Sequence, residues 1–141
     1  MELAIENLKT ISQAIQDITG IYAYFNDTSQ TSETIKFDLR YKGLAWKKPL
    51  TTGILRFDCV LCGMGVTEQF IVNIANAEIK MSEFFNIVNS SDRVVHNLGN
   101  NQWLYLQWND DEAMIEPETK ESGINYYYKR YLKLEYQFKN S

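Results

Sequence analysis

The sequence is poor in the residues that carry most recognisable chemistry. There is one histidine, His96, and there are two cysteines, Cys59 and Cys62. A Ser-His-Asp triad is not readable from a lone imidazole, and His96 is expected as an ordinary strand residue beside Val94 and Val95. A structural zinc site needs more ligands than His96 can add to the two thiols. There are two prolines, Pro49 and Pro117, and neither stands where a thioredoxin-like fold keeps its cis-proline. No phosphate loop, dinucleotide glycine fingerprint or metalloprotease helix is present. No apolar run approaches the ~20 residues that cross a bilayer, so no membrane association is expected. The first residues, MELAIENLKT, carry early acids and no basic region, so no secretory signal is expected either. An excess of positive charge is missing too: 14 Lys and Arg face 18 Asp and Glu, for a net charge of −4. That argues against specific nucleic-acid binding. Neither a cofactor nor a metal is implied.

The Cys59-Val-Leu-Cys62 spacing is the one formal motif. A redox pair of this spacing works where a strand enters a helix, whose N-terminus lowers one thiol's pKa. Here both cysteines fall in a predicted strand, with Gly63 and Gly65 before the next helix. We therefore expect one inward core cysteine and one at a strand end, both as free thiols in a reducing compartment.

What the sequence does have is aromatic and apolar patterning. In 141 residues there are nine Tyr, seven Phe and three Trp, and hydrophobic residues make up 45 %. That is enough for a real core, and one domain over residues 1–141 is the default at this length. Residues 3–18 carry Ala4, Leu8, Ile11, Ile15 and Ile18 at helical spacing, with Gly20 placed as the C-terminal cap. A short strand is read at 21–25 and a polar loop at 26–33. In 35–41, Ile35, Phe37, Leu39 and Tyr41 alternate with Lys36, Asp38 and Arg40, a strand with one wet face. Residues 43–52 read as a connection, and 54–62 as the antiparallel partner strand. Gly63 and Gly65 break the pattern. From 67 to 88 the period becomes helical, with Phe70, Ile74, Ala77, Met81, Phe84, Phe85 and Val88 in one stripe and Thr67 as N-cap. Strands at 93–98 and 102–108 flank the hairpin residues Gly99, Asn100 and Asn101. Residues 109–123 read as an acidic loop.

Residues 124–138 close the chain as a strand that would span roughly 45 Å at ~3.3 Å per residue. Tyr126, Tyr128, Leu132, Leu134, Tyr136 and Phe138 share one face, broken only by Arg130. Tyr127, Lys129, Tyr131 and Lys133 share the other. Together these elements predict an α+β fold: a mostly antiparallel sheet of about five to six strands with two helices packed on one face.

Three surfaces are candidates for function. Tyr127, Lys129, Tyr131 and Lys133, with Trp46, Lys47 and Lys48, form a mixed aromatic and basic set of interface composition, which Trp103 and Trp108 could extend. The bland alternative is cross-strand tyrosine pairing on an exposed face. Asp110, Asp111, Glu112, Glu116, Glu118 and Glu121 make an acidic set opposed only by Lys120. It lacks the central glycine and alternation of a calcium loop, and reads as a solvated loop or as a surface that repels nucleic acid.

The order of amphipathic helix (3–18), strands (35–41 and 54–62), second helix (70–88) and long final strand (126–138) resembles the tail terminator, or tail-completion, proteins of long-tailed bacteriophages. The likeness covers nearly the whole chain in order and size, and no functional residue carries over by identity. It implies a non-enzymatic virion protein, made in the host cytoplasm, whose copies form a ring on the tail tube and join it to the head connector. Asp110 to Glu121 would then line the path of passing DNA, and 26–33 and 43–52 would touch tube or connector proteins. The residues alone leave two alternatives open. One is a monomeric binding module that holds a peptide, glycan or protein on its aromatic surface. The other is a small enzyme using Cys59 or Glu116.

Overall fold

A computed structural model of the chain describes residues 3–26, 33–47, 52–89, 93–108, 114–120 and 123–139, with the backbone alone at 86–89, 114–120 and 123–125. Helix α1 (Ile5–Thr19) buries Ile11 and Ile15 of the expected stripe and also Ala14, with Leu8 and Ile18 half-buried and Ala4 exposed at the N-cap. It ends at Gly20, whose left-handed backbone (φ 73°) lets its N–H donate to the Gln16 carbonyl at 2.8 Å. The Ser12 hydroxyl donates to the Ala23 carbonyl at 2.6 Å and ties α1 to the first strand. Then follow β1 (Ala23–Phe25), β2 (Lys36–Lys47), β3 (Thr52–Gly65), α2 (Glu68–Asn89), β4 (Arg93–Gly99), β5 (Gln102–Gln107), β6 (Met114–Lys120) and β7 (Gly123–Lys139).

The fold is α+β, with six strands in the order β1-β2-β3-β7-β5-β4 and β6 joining β7 as the seventh. The sheet is mixed, not the mostly antiparallel sheet of five to six strands expected. β1 pairs parallel to β2, Ala23 with Phe37 through Phe25 with Leu39, while the other pairings are antiparallel. A parallel neighbour normally needs a long crossover. Here β1 is three residues long, so residues 26–35 suffice to bring the chain back to its start.

Three expectations are corrected. β2 does not stop at Tyr41 but runs to Lys47, because a register shift between Tyr41 and Gly43 absorbs the break in alternation. Gly63 and Gly65 do not end β3. A Cβ on Gly63 would meet the Thr34 carbonyl oxygen at 2.6 Å, and one on Gly65 would overlap the Phe70 ring, so glycine here admits close neighbours within a continuing strand. The acidic segment is not all loop: β6 pairs with β7 from Met114–Lys129 to Lys120–Gly123. The loop read at 26–33 lies outside the described residues from 27 to 32, as does the link at 48–51.

The core is one cluster that includes Phe37 and Leu39 from β2, Leu55, Phe57, Cys59 and Leu61 from β3, and Tyr128, Leu132, Leu134, Tyr136 and Phe138 from β7. Cross-strand register puts these on one face: Phe57 opposes Tyr41 and Leu134, and Cys59 opposes Leu39 and Leu132. Ile11 and Ile15 of α1 and Phe70, Ile74, Ala77, Met81 and Phe85 of α2 complete it. The side chain of Val88 lies outside the described residues. Tyr126, expected inward, is exposed at the strand's start.

The start of α2 is held by Glu33. Its carboxylate accepts from the Thr67 hydroxyl at 2.6 Å and from the Val66 N–H at 3.1 Å. The Thr67 oxygen accepts from the Phe70 N–H at 3.2 Å, as an N-cap does. The Thr67 hydrogen bond above all holds the Glu33 carboxyl below its ordinary value of 4.5. A depressed carboxyl stabilises the fold above its unfolded pKa, and that contribution is lost as pH falls through the folded one. Glu33→Gln should therefore lower the urea midpoint at pH 7, and the gap to the unaltered chain should close below pH 4.5.

Candidate interaction surfaces

The second face of the sheet is not simply wet. Along β2, Lys36 and Asp38 are buried, and in β3 Val60 is 0 % exposed. Register explains this: Asp38, Val60 and Tyr131 lie side by side, as do Lys36, Cys62 and Lys129, and Arg40, Asp58 and Lys133. Asp38 accepts from Arg40 Nε at 2.7 Å, and Lys42 reaches Asp58 at 3.5 Å. Lys36 sits 6.0 Å from the centre of the Tyr24 ring. This face is a mat of short ion pairs and tyrosines that covers Val60. Of the expected interface set, Tyr127, Lys129 and Tyr131 are half-buried within the mat, and Lys133 is exposed.

The cysteines fall on opposite faces. In a strand, residues three apart point oppositely, so Cys59 faces the core and Cys62 the second face. Both are free thiols, and burial raises the pKa of each, Cys59 most. A neutral, enclosed thiol is a poor nucleophile and a poor metal ligand. His96 lies in β4, exposed at a shallow polar cleft against Glu6, Lys9 and Asp17 of α1. Among the described residues no group of three His, Cys, Asp or Glu could hold a metal ion.

Arg130 is the one charge on the inner face of β7, and Glu78 and Trp108 are among its partners. Its guanidinium meets Glu78 of α2 at 2.7 Å and lies 4.6 Å from the centre of the Trp108 ring. Trp108, expected at the surface, is thereby half-buried, with its ring centre 5.8 Å from that of Phe85. The Tyr128 hydroxyl lies beside Glu78 and Arg130, and burial pushes its pKa up.

Exposed apolar side chains stand beside both ends of β3. Beside its end, α2 presents Ile71 (66 % exposed) and Ile79 (54 %) around Ala75, and with Val66 and Tyr126 (41 %) they line a groove of about 740 Å³. Sequence reading missed this groove. The signal was there: 71, 75 and 79 form an i, i+4 row outside the buried stripe, on a helix that is apolar on two sides. Beside the start of β3, Leu44 (46 %) and Trp46 (42 %) are exposed near the tip of the β2–β3 hairpin, with Lys47 exposed next to them. The Trp46 ring touches Phe138 edge-on at 5.8 Å. Lys48 lies outside the described residues.

Of the acidic set, Asp110, Asp111, Glu112 and Glu121 lie outside the described residues. Glu116 and Glu118 belong to β6, paired with Tyr127 and Asn125. No protein-family model matches the chain, and no curated protein is significantly similar to it. Among the described residues no helix is long and apolar enough to cross a membrane.

Proposed function

We propose that this protein is a non-enzymatic structural component that self-associates, and that its assembly is a ring at the end of a phage tail tube, joining tail to head. The observation that carries self-association is the exposed apolar surface: Ile71, Ile79, Leu44 and Trp46 stand in water in the lone chain. Patches of this kind, rimmed by charge, mark interaction sites. The tail reading rests on the order of elements, α1, paired strands, α2 and a final strand of 17 residues. In this reading both helices cover one face of the sheet, which leaves the tyrosine and ion-pair mat of the other face toward neighbouring proteins. The acidic stretch Asp110 to Glu121, which includes β6, would line the DNA path, where negative charge keeps a polyanion from sticking. Negative-stain electron microscopy of the concentrated protein should show closed rings of one size with a central hole. Single small particles at every concentration would contradict the proposal.

One observation favours the rival, a monomeric binding module. The groove of about 740 Å³ on α2 is of the size that holds a small ligand or a peptide side-chain cluster. That reading expects a monomer whose tryptophan fluorescence changes on saturable binding of a peptide.

A further inference from the structure

Self-association on its own does not say which surfaces meet. Granting that reading, we infer that the paired ends of β2 and β3 in one copy, with Leu44 and Trp46, seat in the α2 groove of the next. The occupant is argued from charge and position. The exposed cation beside Leu44 and Trp46 is Lys47, while Arg40, Lys42 and Arg56 already face Asp38, Asp58 and Glu135. Glu68 lines the groove and the Glu33 carboxylate caps the same helix start, while Glu78, also in the lining, is already paired with Arg130. One surface is apolar beside a lysine, and the other is apolar beside two carboxylates.

Their positions make the contact head-to-tail. β3 runs from Thr52 at the hairpin to Gly65 beside the groove, roughly 40 Å at ~3.3 Å per residue. The two surfaces therefore stand at opposite ends of the sheet's longest ladder. A contact between unlike surfaces repeats from copy to copy and closes into a ring when its rotation allows. Beyond Leu39, β2 pairs only with β3 among the described residues, so the end of β2 that carries Leu44 and Trp46 runs on past β1. Trp46 supplies the large, amphipathic anchor that dominates such interfaces.

Two double variants test the pairing. Leu44→Glu with Trp46→Glu disables the hairpin, and Ile71→Glu with Ile79→Glu disables the groove. All four positions are at least 42 % exposed, so circular dichroism should match that of the unaltered chain. In sedimentation velocity each variant alone should run as a 16.5 kDa monomer. An equimolar mixture should form a dimer and stop there, because each variant keeps the surface the other lost. The milder Trp46→Ala and Ile79→Ala should each weaken assembly by about thirtyfold or more. Variants that assemble like the unaltered chain would overturn this contact while self-association stands. Folded monomeric variants that form no mixed dimer would overturn the head-to-tail pairing. An unaltered chain that stays monomeric at every concentration would overturn the contact and the proposed function together.

Discussion

Gly65→Val is expected to cost the fold more than ~3 kcal/mol and to lower its urea midpoint steeply. Gly65 is buried at the end of β3, and even a single Cβ there would overlap the Phe70 ring and stand 2.7 Å from the Glu33 carboxylate. Neither neighbour can give way cheaply. Phe70 is 1 % exposed in the core, and Glu33 is held by Thr67 and Val66 at the start of α2. Inserting extra methylene groups into a packed core costs about 1–3 kcal/mol, and valine adds more than that into a site that admits nothing. The expected loss of more than ~3 kcal/mol is a large share of the ~5–15 kcal/mol that folds a domain. The gentler Gly65→Ala should still lower the urea midpoint. Phe70→Leu should cost less in the Gly65→Ala background than alone, since the two side chains compete for one space. An unchanged midpoint for Gly65→Ala would mean that β3 and α2 do not meet as described.

Arg130→Ala carries the second large effect, about 3 kcal/mol of stability and about 10 °C in Tm. Arg130 and Glu78 are a mostly enclosed ion pair, with side-chain exposures of 11 % and 25 %. Deleting the cation leaves Glu78 and the Tyr128 hydroxyl beside it without the charge that balances them, and Trp108 loses the guanidinium over its ring. The cost comes mainly from the stranded partner. Arg130→Met with Glu78→Leu should therefore recover most of the loss, because a well-packed apolar pair of similar volume is close to neutral. If the single and double variants lose equal stability, the ion pair is not what holds β7 to α2.

Much of the fold was legible in local pattern. The α1 stripe ending at Gly20 is read directly, since a left-handed cap needs glycine. The β4–β5 turn is read from Gly99, Asn100 and Asn101, all at positive φ. The alternation of β7 names Tyr128, Leu132, Leu134, Tyr136 and Phe138, all buried. What was not legible depends on distant chain. Gly63 and Gly65 look like a turn until Thr34 and Phe70 are known to press on them. Met-Ile-Glu-Pro-Glu-Thr-Lys looks like a loop until its ladder to β7 is known. Lys36 and Asp38 look solvated until the rows through Val60, Cys62, Lys129 and Tyr131 are laid beside them. The interaction surfaces were half legible: Trp46 and Lys47 stand exposed as read, while the α2 groove was hidden because a helix with apolar residues on two sides reads as core.

The central claim, that the protein is built to associate with copies of itself, is tested most directly by its mass in solution. Light scattering behind size exclusion, across a hundredfold range of concentration, should give one multiple of 16.5 kDa that no longer grows once reached, as a closed assembly requires. A mass of 16.5 kDa at every concentration would contradict the account and favour the monomeric binding module.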